Sequence, residues 1–159
     1  MTNTNLDGAK RAFETFCSMM DKREWNYEKD AENLRIETGA RGDDLPISLK
    51  VAFDPDCALV LLYSPFAFNI PQEQMEQAAL AICIINDNLI DGNFDLDVTS
   101  GRLCYRMSMS FRESLISEAA FDFFLGFAIH VTDEYNDKLL MLAKGMLTPG
   151  QLLEQIKND

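Results

Sequence analysis

The stretch NDNLIDGNFDLDVTSG, from Asn86 to Gly101, gathers acidic and amide side chains around the Asp91–Gly92 pair. Oxygen ligands around a glycine turn are what a calcium loop requires. That loop takes ligands from positions 1, 3 and 5, a glycine at 6 and a bidentate glutamate at 12. Counted from Asp87, Asp91 and Gly92 fall correctly, but Leu89 takes the third position and Val98 the twelfth. Counted from Asp95, Gly101 comes one place late and Arg106, a cation, stands where the glutamate must be. The spacing predicts no metal site.

His130 is the single histidine, with Asp133 and Glu134 one helical turn away. A general base needs a nucleophile to serve or a carboxylate to orient it. Here a surface hydrogen bond is possible, but no serine stands at a known spacing. No G-x-S-x-G, phosphate-loop or dinucleotide fingerprint occurs. Cys17, Cys57, Cys83 and Cys104 form no C-x-x-C pair and read as small core residues in a reducing compartment. No catalytic group, metal or cofactor is expected.

The chain has 159 residues, 47% of them hydrophobic, which predicts a single domain over residues 1–159 with a core of its own. Acidic residues outnumber basic ones by 26 to 14, a net charge of -12. A surface of that sign repels phosphate backbones and anionic membranes, and attracts partners with basic segments. The N-terminus carries no apolar signal segment, and the longest apolar runs are too short to span a bilayer. A cytoplasmic protein that binds neither nucleic acid nor membrane is expected.

The elements that must position these residues follow from periodicity. Leu6, Ala9, Phe13, Phe16, Cys17 and Met20 recur at three- and four-residue steps, one face of a helix. Trp25 to Thr38 then alternates as a strand, and Leu45 to Phe53 as a second. The unbroken apolar run CALVLLY predicts a third strand, central and covered on both faces. SPFAFNIPQEQ ends that strand in a loop and opens a second helix, with Pro71 in its first turn and Gly92 as its stop. Two short strands follow, Asn93–Val98 and Leu103–Met109. A long helix runs from an N-cap at Ser117 to a stop at Gly145, and Thr148-Pro149 caps a short last helix. The order α-βββ-α-ββ-α-α predicts an α+β fold, a five-stranded antiparallel sheet with helices packed on it.

The acidic stretch reads as a hairpin in this scheme. With Thr99–Arg102 as the loop, Val98 opposes Leu103, Leu96 opposes Tyr105 and Phe94 opposes Met107, while Asp95 meets Arg106 on the other face.

The segment FNIPQEQMEQAALAICIINDNLIDGNFDLDVTSGRLCYRMSM now carries a resemblance. Pro71 before the second helix, Asn86 and Asn88 near its end, GNFDLD at Gly92–Asp97 and GRLCYR at Gly101–Arg106 resemble the YbjN-like family of bacterial sensory transduction regulators. DEYNDKLLMLAKGMLTPGQLLEQI is similar to that family's last long helix and capped tail. The likeness extends from Trp25 over most of the chain. It implies a fold like that of the type III secretion chaperones, which are small, acidic and usually dimeric. It implies action by binding and supplies no catalytic motif.

Both the second helix and the long one carry more apolar residues than one buried stripe needs. Leu80, Cys83 and Ile84 are the candidate contact of a twofold homodimer. Phe66 and Phe68, in the Pro-flanked loop, are candidate contacts to another protein. The preferred reading is a non-catalytic bacterial regulator or adaptor acting through protein–protein binding. The alternatives are a type III secretion-type chaperone for an exported client, and a small-ligand sensor or hydrolase built on His130.

Overall fold

The computed structural model describes residues 3–158, with side chains for residues 5–158. Its elements are α1 (Asn3–Lys22), β1 (Tyr27–Asp30), β2 (Arg35–Arg41), β3 (Pro46–Asp54), β4 (Leu59–Asn69), α2 (Met75–Asn88), β5 (Asn93–Leu96), β6 (Arg102–Ser110), α3 (Glu118–Ala143) and α4 (Pro149–Asn158). The strands form one antiparallel sheet in the order β1-β2-β3-β4-β6-β5.

The sheet therefore has six strands where five are predicted. The segment read as a single first strand is a hairpin. Asp30 accepts hydrogen bonds from the backbone of Glu32 and Asn33 and from Asn33 Nδ2, and Leu34 turns the chain at φ 52°. Asp and Asn fold such turns with their own side chains. The alternation of Trp25–Tyr27 and of Leu34–Thr38 belongs to two paired strands.

α1 and α3 lie on one face of the sheet, against β3, β4 and β6. That face buries Leu49, Val51 and Phe53 from β3, Val60 and Leu62 from β4, and Leu103, Tyr105 and Met107 from β6. Phe13, Phe16, Phe53 and Phe121 meet edge to face, with ring centroids 5.1 to 6.2 Å apart. β4 is central as predicted, but only one of its faces is covered. Leu61 and Tyr63 are half-buried on the other face, opposite Ala52 and Lys50 on β3 and Ser108 and Arg106 on β6.

β4 also outruns its predicted end, passing through Pro65 to Asn69. Proline is tolerated there because the ladder to β6 is irregular between Pro65 and Asn69. Phe66 and Phe68 consequently sit on a strand, not in a loop.

α2 starts at Met75, after a short 3-10 turn over Gln72–Gln74 that Pro71 precedes, so Pro71 lies ahead of the helix and not in its first turn. The helix ends at Asn88, four residues before the predicted glycine stop. Gly92, at φ 69°, instead delivers the chain to β5. A Cβ there would stand 2.6 Å from Tyr105 Cζ, so the position needs glycine twice over. The helix C-terminus that glycine does close is that of α3. Gly145 at φ 69° lets Met146 N–H reach Met141 O at 2.8 Å and its own N–H reach Leu142 O at 3.0 Å. Ser117 caps the other end, its Oγ accepting from Ala120 N. At α4, Thr148 Oγ1 accepts from Gln151 N while Gln151 Oε1 accepts from Thr148 N, a reciprocal capping box.

Candidate binding surfaces

The acidic stretch runs from the end of α2 into a hairpin whose Asp91, Asp95 and Asp97 carboxylates are hydrogen-bonded within the chain. Asp97 accepts from Ser100 Oγ, from the backbone of Thr99 and Ser100, and from the Arg102 guanidinium. Those bonds, the Ser100 hydroxyl foremost, hold its carboxyl well below the usual range. Asp95 takes Arg106 Nε at 2.7 Å. Among the described residues no group of three or more His, Cys, Asp or Glu side chains could hold a metal ion.

The predicted hairpin register is wrong by two residues. Leu96 opposes Leu103, Phe94 opposes Tyr105 and Asp95 opposes Cys104, while Val98 lies exposed in the loop. A shift of two keeps every side chain on its predicted face. Asp95 and Arg106 therefore still meet, as diagonal neighbours.

His130 projects from α3 with its side chain 74% exposed and 3.8 Å from Glu134 Oε2. Of the cysteines only Cys17 is buried. Cys57 and Cys83 are exposed and Cys104 is intermediate, so the expectation of four core residues fails. Burial, with Asp95 beside it, pushes the Cys104 thiol up to about 11, and burial also raises that of Cys17. Asp54 raises that of Cys57. A thiol held protonated in this way is a poor nucleophile.

α2 buries Met75, Ala78, Ala81, Ile82 and Ile85 against β5, α3 and α4. Its outer side carries Leu80, 55% exposed, with Cys83 exposed and Ile84 half-buried one turn on. These three residues are brought together on one helical surface. A second exposed apolar position is Phe123 on α3, stacked on Phe127 with centroids 5.8 Å apart. Phe66 and Phe68 lie edge to face at 5.5 Å, half-buried, and Phe66 reaches Phe94 at 6.0 Å. The α2 patch and the Phe66–Phe68 pair are separate features on different elements.

Asn86 closes part of the sheet's outer edge. Its Oδ1 accepts from Phe94 N at 2.8 Å and its Nδ2 donates to Phe94 O at 3.1 Å, so one side chain does what a neighbouring strand would do for edge strand β5.

Sequence reasoning missed three residues, Ser64, Thr132 and Asn136. They are the buried polar residues of the core, and all three line a cavity between β3, β4 and α3. A signal for them was present. Ser64 continues the buried alternation Val60–Leu62, and Thr132 and Asn136 stand four residues apart beside the apolar stripe of α3.

A six-stranded antiparallel sheet with helices packed on one face defines the class. It is an α+β scaffold with the type III secretion chaperone-like fold. The chain belongs to the YbjN family, described as "Putative bacterial sensory transduction regulator", which matches residues 13–141. Among solved structures it is similar to YbjN from E. coli, with TM-score 0.60 and 13% identity over 79% of this chain and 91% of that one. It is also similar to a chain of the ExsC–ExsE complex, with TM-score 0.59 and 10% identity over 80% and 92%. The HopA1–SchA chaperone–effector complex aligns at TM-score 0.45 and 15% identity over 92% and 97%. No curated protein matches the sequence. Among the described residues no helix is long and apolar enough to cross a membrane.

Proposed function

We propose that this chain is a non-catalytic regulator or adaptor of the bacterial cytoplasm that works by binding another protein, as a single domain and as a homodimer. Apolar side chains left uncovered on a strongly acidic chain carry this reading, among them Leu80 on α2 and Phe123 on α3. Clustered exposed hydrophobics mark contact sites more often than accident. In the dimer, Leu80, Cys83 and Ile84 of one copy face the same residues of the other across a twofold axis. Phe66 and Phe68 contact the protein partner, whose basic segments the net charge of -12 attracts. The likeness to a chain of the ExsC–ExsE complex supports a protein partner. Affinity capture from the native bacterium, followed by mass spectrometry, tests the reading. A specific co-purifying protein is expected, and its absence counts against it.

A further inference from the structure

β3 and β4 pair only from Lys50–Tyr63 to Asp54–Leu59. Beyond that point β3 stays with β2 as far as Pro46–Arg41, while β4 stays with β6 through Pro65–Cys104 and, past an irregularity, at Asn69–Arg102. The two strands part, and α3 closes the gap from below with Thr132, Asn136 and Leu140, one face of the helix at four-residue steps. The result is a cavity of about 240 Å3 walled by Ile47, Phe66 and Phe68.

The polar atoms of this cavity set it apart from the rest of the core. Ser64, Thr132 and Asn136 are 1%, 3% and 2% exposed, and Ser64 Oγ, Thr132 Oγ1 and Asn136 Oδ1 have no hydrogen-bond partner among the described residues. Asn136 Nδ2 donates to Asp133 Oδ1 at 3.3 Å, and since a carboxylate can only accept, the amide oxygen must be the atom left over. A buried polar atom without a partner is costly and calls for an explanation. Valine at 132 or alanine at 64 would fit without that cost. Three such atoms on residues that line one apolar cavity fit the pattern of a ligand pocket, apolar walls with a few polar groups.

The same atoms define the ligand. No charged side chain lines the cavity, so the ligand is neutral. Asn136 Oδ1 needs a donor, and the two hydroxyls can donate or accept. A cavity of roughly 150 Å3 takes benzene, so this larger one takes a substituted ring. We propose that the cleft between β3, β4 and α3 binds a small neutral amphipathic molecule, an apolar ring or branched chain bearing one hydroxyl or amide group. That group donates to Asn136 Oδ1 and accepts from the Ser64 or Thr132 hydroxyl. Asp133 also accepts from Asp43 N at 2.9 Å, which ties Asn136 to the turn leading into β3.

The test uses the full chain, with benzyl alcohol, toluene and benzoate as probes and methyl NMR of Leu45, Ile47 and Leu140 as the readout. Benzyl alcohol is expected to shift these methyls saturably in the roughly millimolar range suited to so small a ligand. Toluene should bind about five- to tenfold more weakly, the worth of one buried hydrogen bond. Benzoate should leave the methyls unmoved. Thr132→Val and Ser64→Ala, both smaller or equal in size, should narrow the preference for the alcohol while the chain stays folded. Two results overturn the proposal. One is no saturable shift with benzyl alcohol in the folded wild-type chain. The other is equal binding of toluene and benzyl alcohol, which leaves the three polar atoms to ordered water only.

Discussion

Asn86 on α2 holds Phe94 on the edge strand by both of its backbone groups, N–H to Oδ1 at 2.8 Å and C=O from Nδ2 at 3.1 Å. Phe94 is itself in the centre of an aromatic cluster with Phe66, Tyr105 and Tyr135. A single amide thus fastens a helix to a four-residue strand and sets the ring that links the Phe66–Phe68 pair to the core.

Replacing that amide should be felt directly. Asn86→Ala strands a part-buried N–H and C=O at once, and each lost pairing costs about 1 kcal/mol or somewhat more. Chemical denaturation should show a loss of about 1–3 kcal/mol. Hydrogen exchange should show the Phe94 amide opening faster while β3 amides are unchanged.

Arg106 and Asp95 should contribute little by comparison. Their side chains are 38% and 46% exposed, and solvent screens such a pair. A double-mutant cycle with alanine at both positions should give a coupling of about 0.2–1 kcal/mol. It should shrink further as salt is raised.

Asp97 gives the hairpin a pH dependence of known sign. Its folded carboxyl ionises below the usual range because Ser100, Thr99 and Arg102 favour the charged form. The stabilisation is therefore complete above the unfolded carboxylate value, about 4, and is lost as pH falls below it. Asp97→Asn should melt below wild type at neutral pH, and the gap should close as the solution is acidified. Melting curves across that range check the sign.

How far the sequence foretold this molecule depended on what each pattern can encode. Apolar alternation along Phe94–Leu96 and Leu103–Met107 assigned every side chain to its face, yet placed the register two residues off. Period two cannot tell a register from its neighbour two steps away; in the observed one Gly92 lies against Tyr105 with no room for a Cβ. The extra strand was hidden because Asp30 and Asn33 make a turn without glycine or proline. Pro65 argued against a continuing strand, and only the local slip of the β4–β6 ladder lets it stay. Leu80, Cys83 and Ile84 were legible as surplus on α2, since a helix with one buried stripe shows what lies outside it. The cleft was not legible, because it arises where two strands separate, and nothing local in the sequence marks that point.

Leu80 should be the residue on which self-association turns. At 55% exposure its change to aspartate costs the fold little but places two like charges across a twofold contact. Sedimentation equilibrium should give twice the 18.0 kDa chain mass for wild type and the single mass for Leu80→Asp, with unchanged melting.

Protein binding through Phe66 and Phe68 is the central claim, and affinity capture from the native bacterium reaches it most directly when wild type is run beside Phe68→Ser. Melting curves for both chains confirm that each is folded. The account predicts one protein enriched by wild type and lost, or reduced by about tenfold or more, with Phe68→Ser, the effect of removing an aromatic anchor. Equal recovery of the same protein by both folded chains, or no specific protein with either, would contradict it.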